Sequence, residues 1–302
     1  MDLKDQLSWT EFLKESSKEP FISEVKPFNR LIGHSKNLFI VAGYGSFTKG
    51  YVLLITKDFL PSYGLVEKEN LDELNFLIKL LKINIKKELN RNVAIFEHGM
   101  CACIGGLDRA HLHIMSVDQN SSQKSIKNSV ENILYKRKVG IKHIKFGNYK
   151  LENIHDINQF IESKEYKLNK DYEIDGKIFK LNDVKNLEVK KWPLITLNHI
   201  KKGGHYVYFD SGFQDSSFLT TENFQTQFGR QVIFDNEINL SEEFRNKIEL
   251  ILKKNPMLEP WRWQSLMFKN NIVETVNQNR RNLKKYISDY NEEYKKFEIK
   301  IL

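Results

Sequence analysis

The first 120 residues sort into short apolar runs separated by polar turns, with one long periodic stretch among them. Leu38–Ala42 (Leu-Phe-Ile-Val-Ala) is a compact apolar run of buried-strand length, and Tyr51–Thr56 (Tyr-Val-Leu-Leu-Ile-Thr) is a second. Between them Gly43-Tyr-Gly-Ser46, with Thr48, Lys49 and Gly50, supplies turn chemistry, so the pair predicts a hairpin inside a sheet. Leu71, Leu74, Leu77, Ile78, Leu81, Ile85 and Leu89 then recur at three- and four-residue spacing, the buried stripe of a helix lying on that sheet. Asn70 with Glu73 three residues on has the form of a capping box, which predicts the helix start. Val93–Phe96 is a third strand closed by Glu97-His98-Gly99. The fourth contains Ala110-His111-Leu112-His113-Ile114, whose period of two puts both histidines on one face and the apolar residues on the other. The order β-β-α-β-β predicts an α+β fold, an antiparallel sheet with a long covering helix.

The pattern is less regular elsewhere. Residues 1–30 are polar, with a short helix expected around Trp9–Lys14 and an extended lead-in through Pro20 and Pro27. After Asp118 the composition shifts. Gln119–Lys127 reads as a linker or exposed loop, and Ile126, Val130, Ile133 and Leu134 suggest a short helix, with another over Ile154–Ile161. Tyr172–Phe179, broken by Asp175-Gly176, reads as a hairpin. Leu194–Leu197 and His205–Phe209 are strand-like around Lys201-Lys-Gly-Gly204. Thr220–Val232 opens a helix, and Trp261-Arg-Trp263 and a final amphipathic helix around 275–296 follow. This predicts two parts: residues 1–120 as a catalytic domain, and 121–302 as a mixed α+β C-terminal extension or second domain.

Composition narrows the class. Among 302 residues, 40% are hydrophobic and 12% aromatic, which excludes a disordered chain. The formal charge of +8, with an excess of five positive charges in 121–190, suits anionic partners such as nucleotides, phosphosugars or nucleic-acid ends; a solvated lysine-rich surface accounts for it equally well. The two cysteines, Cys101 and Cys103, are too close for an unstrained disulfide and too few for a four-thiolate site, as in a reducing compartment. The N-terminus has no apolar signal core and no 18-residue apolar run occurs. These observations lead us to expect a cytoplasmic protein with no membrane partner.

Candidate chemistry gathers around the fourth strand. Gly105 and Gly106 provide a short turn whose amides can approach an anion closely, beside the imidazoles of His111 and His113. Gly50-Tyr-Val-Leu-Leu-Ile-Thr-Lys57, then Glu97-His98-Gly99, then Asp108-Arg109-Ala110-His111-Leu112-His113-Ile114, stand in the order of the histidine triad (HIT) superfamily of nucleotidyl hydrolases and transferases. Residues 25–118 resemble that family, in which a Gly-His-φ-Leu-φ-φ-Pro-Lys strand precedes Asp-His-Ala-His-Leu-His-φ. The resemblance implies a HIT-like sheet. It also implies that His111 is a nucleophile attacking the α-phosphorus of a nucleotide, His113 holds a phosphate oxygen, and amides around Gly105, Gly106 and Leu107 receive developing charge. Glu97 and His98 border that phosphate loop; as plain sequence Glu97 reads rather as a sheet cap and His98 as a loop residue.

Arg109 breaks the pattern, since it replaces the first triad histidine. It is either a phosphate clamp or a lost position in a non-catalytic homologue. The first histidine serves as a metal ligand in the uridylyltransferase branch, and arginine cannot, which weakens a zinc site built on Cys101, Cys103 and His98. A divalent metal is therefore possible but not indicated, and no cofactor is certain. The transferase and dinucleoside polyphosphate phosphorylase branches place glutamine at the third position, so His113 turns the expectation towards hydrolysis. The C-terminal half resembles extensions of some bacterial triad proteins with a Gln-Phe-x-Arg helix. There Gln227 and Arg230 are phosphate or sugar contacts or a buried structural pair, and the extension either takes the place of a second subunit as a pseudo-dimer or leaves a homodimer. Three activities stay open. One is hydrolysis of a nucleoside-monophosphate conjugate through a nucleotidyl-histidine; another is transfer of the nucleotidyl group to a phosphate or sugar-phosphate acceptor. The third is nucleotide binding or nucleic-acid-end processing.

Overall fold

Period-two runs of apolar residues can bury both faces only if helices cover the sheet on both sides, and that is the architecture observed. The computed structural model describes residues 30–58, 60, 62–63, 66, 68–99, 109–136, 144–147, 206–210, 216–219, 227–262 and 268–302. In chain order its elements are β1 (Leu31–His34), β2 (Leu38–Ala42), β3 (Val52–Thr56), α1 (Lys68–Leu89), β4 (Asn92–Gly99), β5 (His111–Val117), α2 (Gln123–Lys136), β6 (Ile144–Gly147), β7 (Tyr206–Asp210), β8 (Ser216–Leu219), α3 (Phe228–Leu240), α4 (Glu242–Lys254), α5 (Lys269–Lys285), α6 (Asn291–Lys296) and β9 (Lys300–Ile301). The nine strands form one sheet in the order β6-β8-β7-β4-β5-β3-β2-β1-β9, and every neighbouring pair is antiparallel. The fold is α+β.

Alternation along the strands divides the core in two. Phe39, Val41, Leu53, Ile55, Phe96 and Met115 face one side, where they pack with Ile126 and Val130 of α2, Val232 and Ile233 of α3, and Ile248 of α4. Ile40, Leu54, Ile95, Leu112 and Ile114 face the other, under the stripe of α1 and under Ile272, Val276 and Tyr294 of α5 and α6. Each such side chain removed from water contributes about 1.5–3 kcal/mol. The turn before β3 needs its glycine: Gly50 has φ +76°, and a Cβ there would lie 2.7 Å from Leu89.

Several expectations change. The long helix begins at Lys68, so Asn70 and Glu73 lie inside it and are not its cap. Their side chains reach across to the β1–β2 turn. Asn70 Oδ1 accepts from Asn37 Nδ2 at 2.8 Å, while buried Glu73 accepts from Asn37 N at 2.9 Å, Asn37 Nδ2 at 2.8 Å and the Ser35 hydroxyl. The third strand runs on through Glu97, His98 and Gly99 because β7 pairs with it from Ile95 to Gly99. The stretch assigned as linker holds the first turn of α2 from Gln123 onward. The final helix is two, α5 and α6, separated at residues 286–290. The boundary drawn at residue 120 falls between β5 and α2, and among the described residues strands from both sides of it share one sheet. Trp9–Lys14, Ile154–Ile161, Tyr172–Phe179 and Leu194–Leu197 lie outside the described residues. Among the described residues no helix is long and apolar enough to cross a membrane.

Candidate functional site

The histidines of β5 stand as their alternation requires. His111 and His113 share a face with Met115, while Leu112 and Ile114 turn to α1. Their ring centroids are 5.0 Å apart, and both residues are 7% exposed, beneath the first turn of α3. Register brings a third imidazole to them. Phe96 of β4 pairs with His113, and two residues further along each strand His98 stands opposite His111 on the same face.

The hydrogen bonds assign the protons. Nδ1 of His111 lies 3.0 Å from the carbonyl oxygen of Arg109; a carbonyl only accepts, so Nδ1 carries the hydrogen and donates. Burial pulls the His111 pKa below its usual value, partly opposed by that backbone bond. The neutral ring therefore leaves its lone pair on Nε2, the requirement for a nucleophile near pH 7. Nδ1 of His113 is 2.6 Å from the Tyr51 hydroxyl, and its ring stacks on Phe96 at 4.1 Å. Burial first, then the charges of His111, His98 and Arg230, hold His113 well below the usual histidine range. His98 is drawn down to about 3, mainly by burial and secondarily by His111. Its Nε2 accepts from the Gly229 amide at 2.9 Å. All three rings are neutral at physiological pH.

Arg109 is fully buried, and its guanidinium donates to the Lys57 carbonyl, tying the end of β3 to the residues before β5. Arg230 is buried against the aromatic rings of Phe47 and Tyr51. It donates from Nε to Trp261 O at 2.9 Å, from Nη1 to Tyr44 O at 3.0 Å and from Nη2 to Gly45 O. It thus fastens α3 to the β2–β3 turn. Gln227 is buried just before α3 in the left-handed conformation, φ 67°. Glu97, one residue from His98, points to the opposite face, where Oε1 accepts from the Tyr63 amide at 2.7 Å. Gly105, Gly106, Leu107, Cys101 and Cys103 lie outside the described residues.

The structure thus brings together His98, His111 and His113, with Arg230 above them, and sends Glu97 elsewhere. Arg109 contributes its carbonyl to His111. Tyr51, Phe96 and Gly229 belong to the site without having been singled out from sequence. Tyr51 had a signal, since Leu53 pairs with His113 and Tyr51 is two residues before it on the same face. Gly229 had none, because its role is a close approach: a Cβ there would lie 2.3 Å from the Phe96 ring. Among the described residues no group of three or more His, Cys, Asp or Glu side chains is placed to hold a metal. Chemically, the arrangement offers a neutral imidazole lone pair in a water-poor setting beside a second imidazole. No family model matches the chain, and no curated protein is similar to it.

Proposed function

We propose that the protein cleaves a nucleoside-monophosphate conjugate at its α-phosphate through a nucleotidyl-histidine on Nε2 of His111. The observation that carries this is the bond from His111 Nδ1 to the Arg109 carbonyl, because it fixes the reactive lone pair on Nε2. Nε2 attacks the α-phosphorus, the bond from phosphorus to the leaving group breaks, and the leaving group departs with the bonding pair. Water then attacks the same phosphorus, releases a proton, and the imidazole leaves with its lone pair restored. His113 donates to a non-bridging oxygen as charge develops there. The resemblance of residues 25–118 to the histidine triad pattern supports the same roles.

The test is incubation with nucleotide conjugates labelled at the α-phosphate, followed by a search for an acid-labile protein adduct. The adduct is expected in the native protein and absent from His111→Ala; an adduct undiminished by that change sinks the mechanism. The burial of all three rings beneath α3 favours a second reading, transfer to a phosphorylated acceptor, since a closed site restricts water. An adduct that discharges only when inorganic phosphate or a sugar phosphate is added establishes transfer over hydrolysis.

A further inference from the structure

Two adjacent residues in the first turn of α3 act on two different imidazoles. The Gly229 amide donates to Nε2 of His98 at 2.9 Å. An amide nitrogen cannot accept, so neutral His98 carries its proton on Nδ1. The Arg230 guanidinium lies 5.2 Å from the centre of the Tyr51 ring, and its positive charge strengthens the phenol as a donor. A phenol O–H is a stronger donor than a neutral imidazole N–H, so the Tyr51 hydrogen is directed to Nδ1 of His113, 2.6 Å away. Neutral His113 then carries its proton on Nε2. The turn that makes both contacts is held firmly. Arg230 is anchored on the carbonyls of Trp261, Tyr44 and Gly45, and Gly229 sits against the ring of Phe96, which itself stacks on His113.

We infer that the first turn of α3 is a tautomer-setting device, with Gly229 fixing His98 in the Nδ1–H form and Arg230, through Tyr51, fixing His113 in the Nε2–H form. Tyr51 and Arg230 are then positioning residues supplied from outside β5. They make His113 present an N–H donor to a phosphate oxygen, where the other tautomer would present a repelling lone pair. The catalytic consequence rests on the nucleotidyl reading above; the tautomers themselves do not. Burial of the Tyr51 phenol, which raises its pKa, keeps the hydroxyl hydrogen in place.

The test is imidazole nitrogen NMR of the full chain near neutral pH, together with steady-state kinetics of Tyr51→Phe. The native spectrum is expected to show His98 and His111 protonated on Nδ1 and His113 on Nε2. Tyr51→Phe removes only the hydroxyl, so His113 becomes a mixture of tautomers and kcat falls about tenfold with KM little changed, the size of one buried hydrogen bond. His113 protonated on Nδ1 in the native protein overturns the inference, whether or not the variant folds. So does a Tyr51→Phe protein whose His113 tautomer is unchanged. Native tautomers as stated in a protein that forms no nucleotidyl adduct support the device and overturn only the nucleotide chemistry.

Discussion

At the scale of single residues, three neutral imidazoles in one buried cluster tie stability to pH. His98 is neutral in the fold down to about pH 3, whereas an unfolded histidine takes up its proton near 6.5. Between these values the unfolded chain binds more protons than the folded one, so stability rises with pH through the window and is lost as pH falls. From pH 6.5 to 5.5, His98 alone costs about 1 kcal/mol, and His113, shifted the same way, adds to it. Urea unfolding at the two pH values measures this loss, and equal midpoints would contradict the neutral cluster. His98→Gln, which keeps an acceptor near the Nε2 position, is expected to shrink that pH dependence while leaving the contact with Gly229. The alternation along β5 made His111 and His113 legible as a pair in the sequence. His98 was legible only as a residue bordering the phosphate loop; its place opposite His111 was not, because that is set by strand register and by β7, which arrives more than 100 residues later.

At the scale of elements, the same local pattern served two different purposes. Asn70 and Glu73 carry the spacing of a capping box, yet α1 already begins at Lys68, and the pair clamps the β1–β2 turn. Glu73 makes the charge-assisted bonds from within the core, so Glu73→Ala should cost about 3 kcal/mol. Asn70→Ala, the change that a cap would feel most, should cost about 1 kcal/mol or less. Thermal melts of the two variants decide between clamp and cap by the order of their effects. Gly229→Ala tests the other end of the molecule. In an ordinary helix the change stabilises by up to about 1 kcal/mol, but here the new methyl meets Phe96, and a net loss of about 1–3 kcal/mol is expected. The stripe of α1, the β2–β3 hairpin and the period of β5 were legible because each is encoded within one segment. α4 had signals that were passed over: Ser241 accepts from Phe244 N as its cap, Glu242 and Glu243 open it, and Lys253 and Lys254 close it. The strands β6, β8 and β9 towards the two ends of the sheet are four residues or fewer, too short for alternation to register.

At the scale of the whole molecule, the two halves of the sequence are not separate in the sheet. β7 covers the outer edge of β4 from Ile95 to Gly99, and β9 pairs with β1, where the Leu302 amide donates to Ile32 O at 3.0 Å. Helix α3 closes the face that carries the histidines, and Glu237 near its far end binds Arg91 and the Asp118 amide. A fragment of residues 1–120 would leave the β4 edge unpaired and bare the face under Phe228, Val232 and Ile233, each at most 1% exposed in the chain. Losing those three alone removes about 6 kcal/mol at about 2 kcal/mol per side chain, comparable with the whole stability of an ordinary domain. The unpaired edge adds a template for aggregation. The fragment is therefore expected to show no cooperative melt by circular dichroism and poor dispersion of its amide resonances. A cooperatively melting fragment would mean that β1–β5 with α1 stand alone and that the C-terminal half only decorates them. In that case the loss of α3 would bare the face that carries the imidazoles, and their titration in the fragment would return towards the ordinary histidine range.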